Sequence, residues 1–223
     1  MSNTDLTTFK NKAPAAAFGG VDPRAESLSD GLSGGYPVLH YKGKNWSLKL
    51  RGESHDFVRQ DDGTSLAYVD AIILRRSPVK SHTYYEKGAW ERGESGAPLC
   101  SSLDGVVPDA NVAKPQSATC ALCPRYVVQT RPDGSKGREC RDNRRLALLL
   151  VPSLSKRLLG EALMEPILLR VPAASLVALS KMGDDAARQG WPYYSFITRI
   201  GFVAGAEFPQ LTFKPLEVLT DKE

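Results

Sequence analysis

The four cysteines of this chain, Cys100, Cys120, Cys123 and Cys140, all fall within one stretch. Cys120-Ala121-Leu122-Cys123 has the two-residue gap that lets both thiolates of a tight turn face one ion. Cys100 and Cys140 can complete a tetrahedron from flanking arms. Zn²⁺ takes four such soft ligands and imposes no geometry of its own. The sequence between the cysteines is poor in core-forming residues and rich in Pro, Gly, Ser, Asp and Arg. Hydrophobic burial alone would not order it, so a metal clip is the expected substitute. Two disulfides or unlinked thiols are the alternatives. An iron–sulfur cluster also uses four thiolates, but no redox-partner motif accompanies these. His55 and His82 are candidates to replace Cys100, the most remote cysteine.

The N-terminus, Met1-Ser2-Asn3-Thr4-Asp5, lacks a basic region followed by an apolar run, and no apolar stretch reaches the length of a membrane-spanning helix. A cytoplasmic protein with no membrane partner is expected, and a reducing compartment favours metal over disulfide. The net charge is +4, too small to argue for nucleic acid by itself. Its distribution says more. From Cys120 to Arg145 lie Arg125, Arg131, Lys136, Arg138, Arg141, Arg144 and Arg145 against Asp133, Glu139 and Asp142, so this window alone carries +4. A clipped, arginine-rich lobe is a reasonable phosphate-contacting device; a solvated surface is the plainer reading.

Residues 1–40 have no periodicity and read as a flexible arm. The segment 41–219 reads as a single domain, with a zinc-clipped insertion at about 86–144 and a short tail at 220–223. Asn45 to Arg51 alternates, with Trp46, Leu48 and Leu50 on one face and Lys49 and Arg51 on the other, as a half-buried strand does. Gln60-Asp61-Asp62-Gly63 is a turn, and strands follow over 66–76 and 79–85, divided by Ser77-Pro78. Further strands are expected at 145–151 and 165–171. Pro172-Ala173-Ala174-Ser175 is expected to open a helix with proline in its first turn, with Leu176, Leu179 and Met182 facing the core and Gly190 as its stop. Strands 194–203 and 211–219 close the chain. The fold class is mainly β: an OB-like Greek-key barrel with one helix before the last two strands and a zinc-binding insertion. A mixed α+β sheet with the same insertion competes.

No Walker loop, no Gly-x-Gly-x-x-Gly and no His-Glu-x-x-His is present, and His40, His55 and His82 are scattered. Four thiolates would also leave a zinc ion no open position for water. A non-catalytic role is expected. Basic and aromatic residues instead interleave along the strands. Lys49, Arg51, Arg75, Arg76, Lys80, Tyr84, Tyr85, Arg125, Arg138, Arg141, Arg144 and Arg199 are the candidates for binding single-stranded nucleic acid, by stacked bases and neutralised phosphates. Trp46, which shares a face with Leu48 and Leu50, belongs to the core. Tyr84 and Tyr85, adjacent in a strand, cannot both point inward.

The runs Cys120-Ala-Leu-Cys123-Pro and Gly137-Arg-Glu-Cys140-Arg-Asp142-Asn-Arg144-Arg145-Leu carry a resemblance. So do Leu169-Arg-Val171-Pro-Ala-Ala-Ser175-Leu, Thr198-Arg199-Ile200 and Leu211-Thr-Phe213-Lys-Pro215. Over about residues 36–218 the chain resembles phage and prophage single-stranded DNA-binding proteins of OB fold. The resemblance implies single-stranded DNA as partner, work in replication or recombination, contacts with replication or transcription proteins, and a possible homo-oligomer. Such proteins usually end in a long acidic tail. Here the end is Glu217-Val-Leu-Thr-Asp221-Lys-Glu223, so recruitment of partners through the C-terminus is not expected. A zinc-clipped protein–protein adaptor, for example one that binds a polymerase, and a metal-dependent nuclease are the alternative functions.

Overall fold

The computed structural model describes residues 36–85, 98–130 and 134–219. The chain separates into two compact units, Met1–Tyr36 and Pro37–Glu223. Most of the arm expected over 1–40 lies outside the described residues, as do the tail at 220–223 and residues 86–97 of the expected insertion.

The second unit is mainly β. It opens with an antiparallel meander of β1 (Val38–Lys42), β2 (Asn45–Leu50) and β3 (Glu53–Asp56). Then come β4 (Tyr68–Arg76), β5 (Ser81–Tyr84), β6 (Cys100–Ser102), β7 (Gln129–Thr130), β8 (Lys136–Gly137) and the long β9 (Arg141–Leu150). Helix α1 (Pro152–Leu159), β10 (Ile167–Pro172), helix α2 (Leu176–Arg188), β11 (Phe196–Phe202) and β12 (Leu211–Val218) complete the unit. The main sheet runs β12-β11-β4-β9-β10-β1-β2-β3, with β5 and β6 attached beside β9, while β7 and β8 pair separately. Among the described residues only β1 and β10 pair in parallel.

Alternation decides which face is buried. Trp46, Leu48 and Leu50 of β2, Val69, Ala71 and Ile73 of β4, and Leu146, Leu148 and Leu150 of β9 all point into one apolar cluster. Each large side chain so buried contributes roughly 1.5–3 kcal/mol. The sheet cannot be flat. In the order above β2 and β11 are five steps apart, which in a flat sheet separates them by about 24 Å. Yet the Trp46 and Phe202 rings stack with centroids 4.6 Å apart, and Tyr41 meets both edge-on at 5.3 and 5.4 Å. The sheet therefore curls like a half-barrel around these rings.

Helix α2 keeps the expected core face: Met182 is buried, Leu176 and Leu179 pack on the core, and Gly190 follows its end at φ +80°. It starts later than expected, because Pro172 ends β10 and a 3-10 turn at Ala173–Ser175 leads into the helix. Two other expectations need correction. A second helix, α1, follows β9, with Pro152 in its first turn and Gly160 closing it in the left-handed region. The strand expected over 79–85 is present as β5. It continues β4 along the same edge of β9 after an interruption at Ser77–Lys80, where Pro78 has no N–H to give a ladder. The sheet also claims Arg141 to Arg144, which were read as part of the insertion: β9 starts at Arg141 and pairs there with β5.

Candidate functional site

All four cysteines line one pocket, together with His82 and Tyr84. The antiparallel pair β5–β6 supplies one wall. Its register sets His82 opposite Ser102 and Tyr84 opposite Cys100, so all four face the same side. The Cys120–Cys123 turn supplies the second wall. Cys120 N–H donates to Val106 O, Cys123 N–H to Cys120 O and Tyr126 N–H to Cys123 O. Cys140, just before β9, supplies the third, its N–H held by Arg125 O at 2.8 Å. The thiols are unbridged, and Cys120, Cys123 and Cys140 are buried. Burial, and then the sulfurs of Cys123, Cys120 and Cys100, push the Cys140 thiol up to about 12. Burial also raises Cys120, against a hydrogen bond from Ser102. Among the described residues no three His, Cys, Asp or Glu side chains form a ready-made metal-holding group; the fold supplies a pocket of facing thiols. His55 is not among the residues lining that pocket. It sits on β3, 3.9 Å from Glu53.

Beside the pocket, Asp142 ties the lobe to the sheet. It accepts from Lys80 Nζ at 2.9 Å and from the Tyr126 hydroxyl at 2.9 Å, and His82 Nε2 lies 3.3 Å away. Tyr126 stacks on His82 with ring centroids 4.2 Å apart, and Arg138 lies 4.3 Å over the Tyr126 ring. Burial would raise the Asp142 carboxyl, but the hydrogen bonds from Lys80 and Tyr126 outweigh it and hold it below its ordinary value. Gly105 lets the 103–107 loop close on this assembly. Its φ is +73°, and a Cβ there would stand 2.5 Å from Lys80 O.

Several expected strand-binding side chains are engaged within the protein. Lys80 and Arg138 serve Asp142. Arg125 pairs with Glu139 at 2.6 Å and sits over the Tyr84 ring. Arg199 grips Asp70 through Nε and Nη2 at 2.8 and 2.9 Å and covers Tyr68. Tyr84 is only 6% exposed and offers no stacking face, whereas Tyr85 is 44% exposed. Lys49, Arg51, Arg75 and Arg141 are exposed, with Arg51 in a left-handed turn at φ 51°.

Four further arginines form two pairs, one on each face of β9. Arg76 and Arg144 both donate to Ser77 O, at 3.4 and 2.7 Å. Burial and then Arg76 hold the Arg144 guanidinium below its ordinary pKa. Arg145 of β9 lies directly opposite Arg170 of β10. Burial lowers its pKa, Asp109 opposes and Arg170 adds to the lowering. Arg145 Nη2 donates to Leu103 O at 3.2 Å, while its Nε is buried without a partner. Among the described residues none of these four guanidiniums has a carboxylate within salt-bridge distance. Arg145 stood in the basic window of the sequence, but Arg170 gave no local signal. Only the β9–β10 register brings the two together.

Compared with protein-family models, with curated proteins and with solved structures, the chain matches none. No helix among the described residues is long and apolar enough to cross a membrane.

Proposed function

We propose that this protein binds single-stranded DNA without catalysing a reaction. The observation that carries the reading is the pairing of Arg76 with Arg144 and of Arg145 with Arg170, without a carboxylate for any of the four among the described residues. Like charges brought side by side and partly desolvated are costly until an anion arrives. A phosphodiester backbone supplies anions at regular intervals, and the exposed Tyr85 ring offers a face on which a base can stack. The curled, mainly β sheet with α2 before β11 and β12 agrees with an OB-like barrel, a fold suited to such binding. The resemblance to phage single-strand binders points the same way, toward replication or recombination in a host cytoplasm.

Within this reading the four-thiol pocket holds a structural Zn²⁺ through Cys100, Cys120, Cys123 and Cys140. Buried thiols that raise one another's pKa suit a divalent cation, which would stabilise them as thiolates. The ion would fix the lobe that carries Tyr126 and Arg138 against β5 and β9.

A second reading, a protein–protein adaptor, is favoured by one feature. Leu122 at the tip of the cysteine turn is 82% exposed, and Val127 and Val128 are exposed after it. Competition separates the two. A labelled single strand bound to the full chain should be displaced by unlabelled single strand and not by duplex of equal length. Absence of any binding to the labelled strand would abandon the DNA reading for the adaptor.

A further inference from the structure

The outer face of the curled sheet carries a row of side chains that sequence reasoning did not assemble. Register fixes it strand by strand. Arg145 of β9 faces Arg170 of β10. Strand β1 runs parallel to β10 with Val38 beside Leu168 and Leu39 beside Leu169, so His40 falls beside Arg170. His40 faces Ser47 of β2, and Ser47 faces Asp56 of β3. Leu39, Leu146 and Leu169 are buried on the core side, so Arg145, Arg170 and His40, one residue removed from each, share the opposite face. Half-exposed Ala147 and Leu168 make an apolar floor next to the row, and Lys49 stands opposite Val38 at its flank.

On the β9 side the row meets Ser77, whose N–H donates to Arg145 O. Asp56 ends it on β3. The one carboxylate that Arg145 senses, Asp109, is already committed to the Ser101 hydroxyl at 2.6 Å and the Leu103 N–H at 2.7 Å. Arg170 Nη1 donates to the Tyr85 hydroxyl at 3.1 Å, which anchors an exposed ring at the end of the cationic pair. A cation pair, an apolar floor and an anchored ring in one place match a single strand, whose phosphates and unstacked bases lie side by side. They match a duplex poorly, since its bases turn inward.

We propose that a single DNA strand crosses the outer face of the sheet over Arg145, Arg170 and His40, perpendicular to the β-strands, with one base stacked on Tyr85. This inference rests on the single-strand reading above and names the place where it is realised.

The test uses the full chain and a fluorescein-labelled oligothymidylate of roughly 16 nucleotides, the upper span of one such fold. Affinity is read by anisotropy across a salt series. Arg170→Gln and Arg145→Gln should each weaken binding about tenfold and make the log–log salt slope shallower by about 0.7, the share of one phosphate contact. Tyr85→Ala should weaken binding by about 5- to 150-fold with the slope unchanged. Tyr85→Phe, which keeps the ring and loses only its hydroxyl anchor on Arg170, should lose less than Tyr85→Ala. Lys181→Gln, on exposed α2, should change neither quantity. Arg170 is exposed, so its variant carries the test even if loss of the half-buried Arg145 side chain disturbs folding. If the unaltered protein binds no strand, the parent reading fails and this one with it. If it binds with a steep salt slope and the Arg170 and Tyr85 variants bind equally well, this site alone is wrong.

Discussion

Removing the Trp46 and Phe202 rings, singly and together, tests whether the sheet really curls. Trp46 is 1% exposed and its ring lies 4.6 Å from that of Phe202, although five strand-to-strand steps separate β2 from β11 in the sheet. Trp46→Ala should cost about 3–5 kcal/mol, as loss of a fully buried large ring does. Phe202 is only half-buried, so Phe202→Ala should fall at or below the lower end of that range. The informative quantity is the coupling. Stacked rings are worth about 0.5–1.5 kcal/mol beyond the area they bury, so the double variant should be less destabilised than the sum of the singles by that amount. Residues about 24 Å apart in a flat sheet would instead add to within about 0.3–0.5 kcal/mol. Urea unfolding followed by far-ultraviolet circular dichroism measures all four corners of the cycle. Strict additivity would refute the curled architecture and with it the OB-like reading.

Other expectations follow from the lobe. Asp142→Asn should cost about 1–3 kcal/mol at neutral pH, because the amide keeps one acceptor oxygen for the Tyr126 hydroxyl but turns an NH2 toward Lys80 and removes the charge that Lys80 faces. The Asp142 carboxyl is depressed in the folded state, so its contribution is whole above 3.8 and disappears as pH falls below it. The stability gap between wild type and variant should close over that range, and a pH-independent gap would contradict the assignment. Gly105→Ala should destabilise by about 1–3 kcal/mol in the same unfolding assay, since its φ is +73° and the added methyl meets Lys80 O at 2.5 Å; a neutral result would mean that the loop docks differently. Cys123→Ser should abolish bound zinc, measured by elemental analysis, and speed proteolysis of the lobe while β-sheet signal persists. Loss of the whole fold would show that the metal holds the core as well.

What could be read from sequence divides along physical lines. Alternation in Asn45–Leu50 and the three-residue steps of Leu176, Leu179 and Met182 report burial directly, so β2 and α2 were legible. Helix α1 was not recognised because its only clear signals are Pro152 at the start and Gly160 at the end of a short segment. The first half of β9 was hidden by charge. Arg141, Asp142 and Arg144 look like a solvated loop until β5 and the lobe fold over them. The cysteine cluster was evident from spacing alone, and the structure gathers all four around one pocket. The binding residues were the least legible. Nothing local distinguishes Arg199, neutralised by Asp70 from a strand far away in sequence, from Arg170, whose one side-chain partner among the described residues is a tyrosine hydroxyl. That distinction lives in the register of the sheet.

The most direct test of the central claim is the salt dependence of single-strand affinity for the unaltered chain. If Arg145 and Arg170 each take one phosphate, log affinity should fall linearly with log salt at a slope of about −1.4. A slope near zero, or no measurable binding at low salt, would contradict it.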